Sequence, residues 1–107
     1  MGETGGKDFI FAHPTAHVES LVAALVRGSF EYQGQKCSAA SRAYLPESLW
    51  TKVKDRLLQE THKLKVGDPT DFSTFMAAVI DRSSFDKIKG YIDEARASED
   101  AEVLTGG

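Results

Sequence analysis

The sequence predicts an α/β fold with parallel strands and crossover helices, and three observations predict it. Short apolar runs alternate with amphipathic helical patterns, in the order strand, helix, strand, helix, helix, strand. The 107 residues leave room for one domain at most. The chain contains neither an internal repeat nor a low-complexity tract.

The first strand and helix are predicted over residues 8–30. Asp8 to Ala12 is a short apolar run between glycines and His13-Pro14, which predicts a buried strand. Pro14 blocks helix at His13, and Thr15 is expected to cap the helix that follows. Residues that recur at three and four positions, all apolar except Ser29, then predict one buried helix face: Val18, Leu21, Val22, Leu25, Ser29 and Phe30.

A second strand and helix follow in the same order. Weak alternation before Pro46 predicts a strand over Ser41 to Leu45, and Glu47 or Ser48 is expected to begin a helix. Glycine and proline in Val66-Gly67-Asp68-Pro69 end that region. The predicted inner face of this helix is Leu49, Trp50, Val53, Leu57, Leu58, Thr61 and Leu64.

The last third of the chain predicts a loop, a helix and a short strand. Residues 70–81 are expected to form the loop, and Ser83 or Ser84 to cap the helix. Glu102 to Thr105 is expected to be the final strand. The predicted inner face of the helix is Phe85, Ile88, Tyr91, Ile92 and Ala95.

Composition narrows the classes of partner. The sequence is 41% hydrophobic and 27% charged, with interspersed charges and a net charge of −3, which argues against a nucleic-acid partner. Its apolar runs are too short to span a bilayer, and its first residues lack the charged-then-apolar pattern of a signal peptide. A single cysteine cannot form an internal disulfide, which favours an intracellular compartment. We interpret Met1 as an expression start and the chain as a piece of a larger enzyme.

Cys37 is the first candidate for chemistry. A free cysteine is most often a buried, inert residue. Here its neighbours are polar or small, it follows the end of a helical pattern, and Lys36 favours the nucleophilic thiolate. From these residues alone, both interpretations stay open.

Glu3 and the histidines are weaker candidates taken alone. Glu3 lies in a glycine-rich stretch before the first strand, where a terminal glutamate is ordinarily solvated. His13 and His17 are four apart, but Pro14 keeps His13 out of the helix, so the two rings need not share a face. His62 is expected to be exposed on its helix. We therefore predict no metal site and no Cys-His hydrolase.

Two motifs together resemble the aldehyde dehydrogenase superfamily. Glu3-Thr4-Gly5-Gly6-Lys7 resembles the family's Glu-x-Gly-Gly-Lys motif, and Gly34-Gln35-Lys36-Cys37 its Gly-Gln-x-Cys motif. Their separation of 34 positions (37 − 3) is similar to the family's spacing. The resemblance covers essentially the whole chain, so residues 1–107 are expected to be a fragment of the catalytic domain.

The resemblance implies roles for particular residues. Cys37 would be the nucleophile that forms a thiohemiacetal and then a thioester, and Glu3 the base that activates water. Thr4 and Gly5 would contact the nicotinamide of NAD, and Lys87 falls near a position that contacts its ribose. Lys36 and Ser38 resemble those members that oxidise L-glutamate γ-semialdehyde to glutamate in proline degradation. A cation and a hydroxyl there would bind the substrate's carboxylate.

Other family features have no match in these residues. The oxyanion-hole asparagine, the dinucleotide-binding βαβ region, a later ribose-binding glutamate and the substrate-anchoring loop are expected outside residues 1–107. The isolated chain is therefore expected to be inactive, and the parent enzyme a homo-oligomer without nucleic-acid or membrane partners. The alternatives are an aldehyde dehydrogenase for another semialdehyde and a non-catalytic structural module.

Overall fold

Two parallel strands and two helices form the first structural unit of the computed structural model, which describes residues 5–107. This unit extends to Ala77, and a second unit, Ala78–Gly107, contains one helix. The parallel strands and the crossover helix between them confirm the predicted α/β fold. The elements are β1 Asp8–Phe11, α1 Val18–Phe30, β2 Ala40–Tyr44, α2 Glu47–His62 and α3 Arg82–Ala97.

β1 and β2 lie side by side and run in the same direction. Beyond β1, the backbone N–H of Ala12 donates to the carbonyl of Tyr44 at 3.0 Å. Because the strands are parallel, the chain segments that precede them meet at one edge of the sheet. That edge holds Gly5–Lys7 before β1 and the Cys37 region before β2.

The core of the first unit lies between α1 and α2. The predicted periodicity is confirmed where the two helices meet, since Val22 is 2% exposed and Val53 is fully buried. Burial of such a side chain contributes about 1.5–3 kcal/mol. The buried hydrophobic residues in the described part of the chain are Ala12, Leu21, Val22, Leu25, Val26, Leu49 and Val53.

Both predicted serine and threonine caps are wrong. His17, not Thr15, is the N-cap of α1, and its Nδ1 accepts from the backbone N–H of Ser20 at 3.4 Å. Asp81 caps α3 and accepts from the backbone N–H of Ser84 at 2.7 Å. This hydrogen bond lowers the pKa of Asp81. A carboxylate accepts more strongly than a hydroxyl at the positive end of a helix, which explains the choice of Asp81.

Two predicted buried faces are exposed. Phe9 and Phe11 of β1 are 58% and 75% exposed, so β1 is not a buried strand. On α3, Phe85 and Tyr91 are also exposed, although Ile92 is half-buried. Periodicity identifies the residues that share a face, but burial needs a second element to cover it. Residues 78–107 contain no other helix or strand beside α3.

The predicted final strand, Glu102 to Thr105, is also wrong. The structure assigns no strand to these residues, because a strand requires a hydrogen-bonded ladder with a neighbour. Instead the Arg96 guanidinium donates to the backbone carbonyls of Gly106 and Gly107, at 3.3 and 2.7 Å. No helix in the described residues is long and apolar enough to cross a membrane.

Candidate active site

Cys37 lies in an exposed turn directly before β2. The backbone N–H of Ala39 donates to the carbonyl of Lys36 at 3.0 Å and closes the turn around Cys37 and Ser38. The Cys37 side chain is free and exposed. Within the described residues a small molecule can therefore reach the sulfur, as the predicted nucleophile requires.

A left-handed stretch of backbone separates α1 from this turn. Tyr32, Gln33 and Gly34 all have positive φ, at 55°, 58° and 67°. Residues with a Cβ pay about 1–2 kcal/mol for this conformation, and backbone strain of this kind clusters at functional sites. The sequence analysis placed Cys37 after the end of a helical pattern but missed the strain at Tyr32 and Gln33, because neither residue type signals positive φ.

Gly6 touches the backbone of Cys37. A Cβ built on Gly6 would lie 1.7 Å from the Cys37 carbonyl oxygen and 2.6 Å from its carbonyl carbon. No residue other than glycine allows this approach. The contact brings the predicted Glu-x-Gly-Gly-Lys segment and the Cys37 turn together. Glu3 and Thr4 lie outside the described residues, so their predicted roles stay predictions.

The backbone around Gly5 leaves room for a bound group. Gly5 has φ +70° and is exposed, and among the described residues, apart from its chain neighbours, no atom lies within 4 Å of where its Cβ would be. A flat aromatic ring can therefore approach this peptide closely. The backbone at Gly5 is thus compatible with the nicotinamide contact that the family resemblance implies.

Lys36 and Ser38 flank Cys37, and both are exposed. The Lys36 Nζ donates to Glu31 Oε2 at 3.0 Å, and Arg27 donates to the other carboxylate oxygen at 2.7 Å. The hydrogen bond from Lys36, its charge and the nearby Arg27 hold the pKa of Glu31 below its ordinary value. A substrate carboxylate would therefore share or displace an existing partner of Lys36.

The histidines have structural contacts rather than a shared site. His13 Nδ1 lies 2.9 Å from the Thr15 hydroxyl, and His17 caps α1. Among residues 5–107, no group of three His, Cys, Asp or Glu side chains is placed to hold a metal ion. Lys87 is an exposed residue of α3 in the second unit.

An apolar groove lies at the opposite edge of the sheet. Its volume is about 520 Å³, and none of the predicted site residues lines it. The predicted nucleophile, Cys37, precedes β2 and so lies at the other edge of the sheet, away from this groove. The groove is lined by Phe11, Ala12, His13, Pro14, Ala43, Tyr44, Leu45 and Pro46.

Comparison with known proteins identifies the same family. The sequence profile of the aldehyde dehydrogenase family matches residues 1–107. Mitochondrial delta-1-pyrroline-5-carboxylate dehydrogenase of Dictyostelium discoideum is 56% identical over the whole chain, which covers 19% of that protein. The chain thus spans about a fifth of the length of the curated relatives it matches.

Solved structures of related enzymes match the chain in backbone as well as in sequence. Delta-pyrroline-5-carboxylate dehydrogenase from Mycobacterium tuberculosis is 46% identical with a TM-score of 0.94, over 98% of this chain and 20% of that one. The same enzyme bound with NAD and cobalamin is 47% identical with a TM-score of 0.88, over 92% of this chain and 18% of that one. The backbone arrangement around Cys37 therefore belongs to a fold already seen in crystals.

Proposed function

This chain belongs to the aldehyde dehydrogenase family, and we propose that it carries the nucleophile and the general base of an NAD-dependent dehydrogenase. The contact of Gly6 with the Cys37 backbone carries this proposal. Glu3 precedes Gly6 by three residues, so the chain cannot separate their Cα atoms by more than about 11 Å. This covalent limit supports Glu3 as the base that serves a group bound to Cys37.

The proposed substrate of the whole enzyme is L-glutamate γ-semialdehyde, which is oxidised to L-glutamate in proline degradation. Relatives named delta-1-pyrroline-5-carboxylate dehydrogenase, at 46–56% identity, support this choice. Lys36 and Ser38 would bind the substrate's carboxylate beside the reacting carbon. Because Lys36 is already paired with Glu31, a semialdehyde without that carboxylate is the second candidate.

The first chemical step belongs to Cys37. Its thiolate attacks the aldehyde carbon, a C–S bond forms, and the carbonyl π electrons become an alkoxide. The backbone N–H of Cys37 is a candidate donor to this oxyanion. NAD, when bound, supplies the acceptor for the hydride that leaves the same carbon with two electrons.

The second step belongs to Glu3. Its carboxylate takes a proton from water, and the resulting hydroxide attacks the thioester carbon. The C–S bond breaks, the carboxylic acid product leaves, and the Cys37 thiolate is restored. The peptide of Thr4 and Gly5 would hold the nicotinamide, and the open space at Gly5 supports that role.

Two substitutions in the full-length protein test the proposal. Cys37→Ser should lower NADH formation from glutamate semialdehyde by at least about 1,000-fold, because the nucleophile is lost. Glu3→Gln should lower the steady-state rate by about 100-fold or more but keep the first turnover. Glu99→Gln, at an exposed glutamate in the second unit, is the control. A Cys37→Ser protein with more than a tenth of the parent activity would overturn the proposal.

The proposal also covers the partner, the oligomeric state and the compartment of the enzyme. Its partner is a small-molecule aldehyde, and the parent is expected to be a homo-oligomer. We place it inside the cell, in the mitochondrial matrix for a eukaryotic source and in the cytoplasm for a bacterial one. The relative from Dictyostelium discoideum is named as mitochondrial. The 107-residue chain alone should form no NADH.

A further inference from the structure

The pairing of β1 with β2 contains an irregularity next to Cys37. Asp8 lies opposite Ala40, but the next residue, Phe9, lies opposite Arg42, so Ser41 is an extra residue in β2. Bulges are rare between parallel strands, and they are frequent beside active sites, where they redirect side chains. This one begins within four residues of Cys37 in the sequence.

The two side chains at the bulge bind the segment that leads into β1. Ser41 Oγ donates to the backbone carbonyl of Asp8 at 3.1 Å. Arg42 Nη2 donates to the backbone carbonyl of Lys7 at 3.3 Å. The two acceptors follow Gly6 directly in the chain, and Gly6 is the residue that touches Cys37. The segment is therefore held at three successive residues.

We propose that Ser41 and Arg42 are positioning residues that set the distance between the Glu3 carboxylate and the Cys37 thioester. The inference rests on the proposed function, because it assigns these two roles to Glu3 and Cys37. The stretch that carries the nucleophile continues without interruption into the bulge. Through Ser41 and Arg42, the same stretch is therefore hydrogen-bonded to the segment that leads from the proposed base into β1.

Of the two chemical steps, hydrolysis of the thioester should depend more on the hydrogen bonds from Ser41 and Arg42. Attack by Cys37 on a carbonyl needs only the thiolate and its own turn. Hydrolysis needs a water molecule held between Glu3 and the thioester carbon, so it depends on the distance between the two stretches. A misplacement of about 1 Å costs on the order of 100-fold in rate. Both Ser41 and Arg42 are exposed, so their loss should leave the core intact.

An activated ester separates the two steps without any cofactor. With 4-nitrophenyl acetate, the Cys37 thiolate attacks the acetyl carbon and 4-nitrophenolate leaves. Water, losing its proton to Glu3, then attacks the acetyl thioester, the C–S bond breaks, and acetate leaves. Release of 4-nitrophenolate measures acetylation of Cys37. The intact mass of the full-length protein shows how fast the acetyl group is then lost by hydrolysis.

The double variant Ser41→Ala/Arg42→Met should be acetylated to the parent level but should hydrolyse the thioester about 10- to 100-fold more slowly. Ser41→Thr keeps the hydroxyl and should hydrolyse at nearly the parent rate. Arg82→Met, which removes an exposed arginine paired with Asp86, is the matched control and should behave as the parent.

Two results would overturn the positioning role. One is hydrolysis by the double variant within twofold of the parent. The other is an equal loss of acetylation and hydrolysis together with a lower melting temperature, which indicates a purely structural role.

Cys37→Ser, run in parallel, separates this inference from the proposed function. A Cys37→Ser protein that still accumulates the acetyl group and still oxidises the aldehyde contradicts the proposed function itself. Loss of both reactions in Cys37→Ser, with an unaltered double variant, overturns only the positioning role.

Discussion

Replacement of Gly6 by alanine should disable the enzyme without touching a catalytic side chain. The added Cβ would lie 1.7 Å from the Cys37 carbonyl oxygen. Real Cβ contacts are essentially never shorter than 3.0 Å, so the two backbones must separate by at least 1.3 Å (3.0 − 1.7). The obstacle is backbone rather than a flexible side chain, so no rotamer change relieves it.

This separation sets the size of the expected effect. A displacement of about 1 Å between catalytic groups costs on the order of 100-fold in rate, so Gly6→Ala should lower kcat by about 100-fold or more. NADH formation from glutamate semialdehyde by the full-length protein measures it, and alkylation of Cys37 by iodoacetamide shows that the thiol is still exposed.

Gly28→Ala is the matched control. Its Cβ would lie 3.6 Å from Ala40 Cβ and 3.7 Å from Ile10 Cδ1, which is ordinary contact. Alanine is also about 1 kcal/mol better than glycine inside a helix such as α1. This variant should keep kcat and melt no lower than the parent. A Gly6→Ala protein with kcat within twofold of the parent would refute the reasoning.

Three further outcomes are expected of the full-length protein. Lys36→Ala should raise KM for glutamate semialdehyde but not for an aldehyde of similar length without the carboxylate, measured by steady-state kinetics. Val53→Ala should destabilise the protein by about 2–3 kcal/mol in thermal or urea unfolding, because Val53 is fully buried between α1 and α2, whereas Lys52→Ala at an exposed site should not. Arg56→Met should lower the melting temperature at neutral pH, since Arg56 binds both carboxylate oxygens of Glu19 across the two helices.

The effect of Arg56 should depend on pH in a defined direction. Its hydrogen bond to Glu19 lowers the pKa of that carboxyl from the ordinary 4.5. The pair therefore stabilises the fold fully above about pH 4.5, and this contribution disappears as the pH falls through the lowered pKa. The difference in melting temperature between Arg56→Met and the parent should shrink in acid. A difference that stays constant down to pH 3 would contradict this account of the Arg56–Glu19 pair. For Lys36→Ala, an equal change in KM for both aldehydes would contradict the proposed role of Lys36.

Local patterns predicted the three helices and the parallel direction of the first two strands, although the predicted third strand is wrong. The periodicity of residues 18–30 and 47–64 placed Val22 and Val53 in the core, because one helix face had to be covered by another. The same periodicity failed for Phe85 on α3, which stays exposed in its own unit. Which element covers a face is a tertiary matter that spacing along one helix cannot decide. The caps failed for a related reason, since several polar residues compete for one helix end.

The sequence alone determined the two motifs on which the proposed chemistry rests: a cysteine and a glutamate, each in a glycine-containing motif, 34 positions apart (37 − 3). Only the tertiary structure decided how the two motifs meet. Parallel pairing of β1 and β2 brings the segments that precede them to one edge of the sheet. There Gly6 permits backbone contact with Cys37, and Ser41 at the bulge hydrogen-bonds to the carbonyl of Asp8. Such contacts depend on register and on distances between remote residues. The residue types and spacing within one short segment do not predict such distances, because they depend on how two remote segments pack.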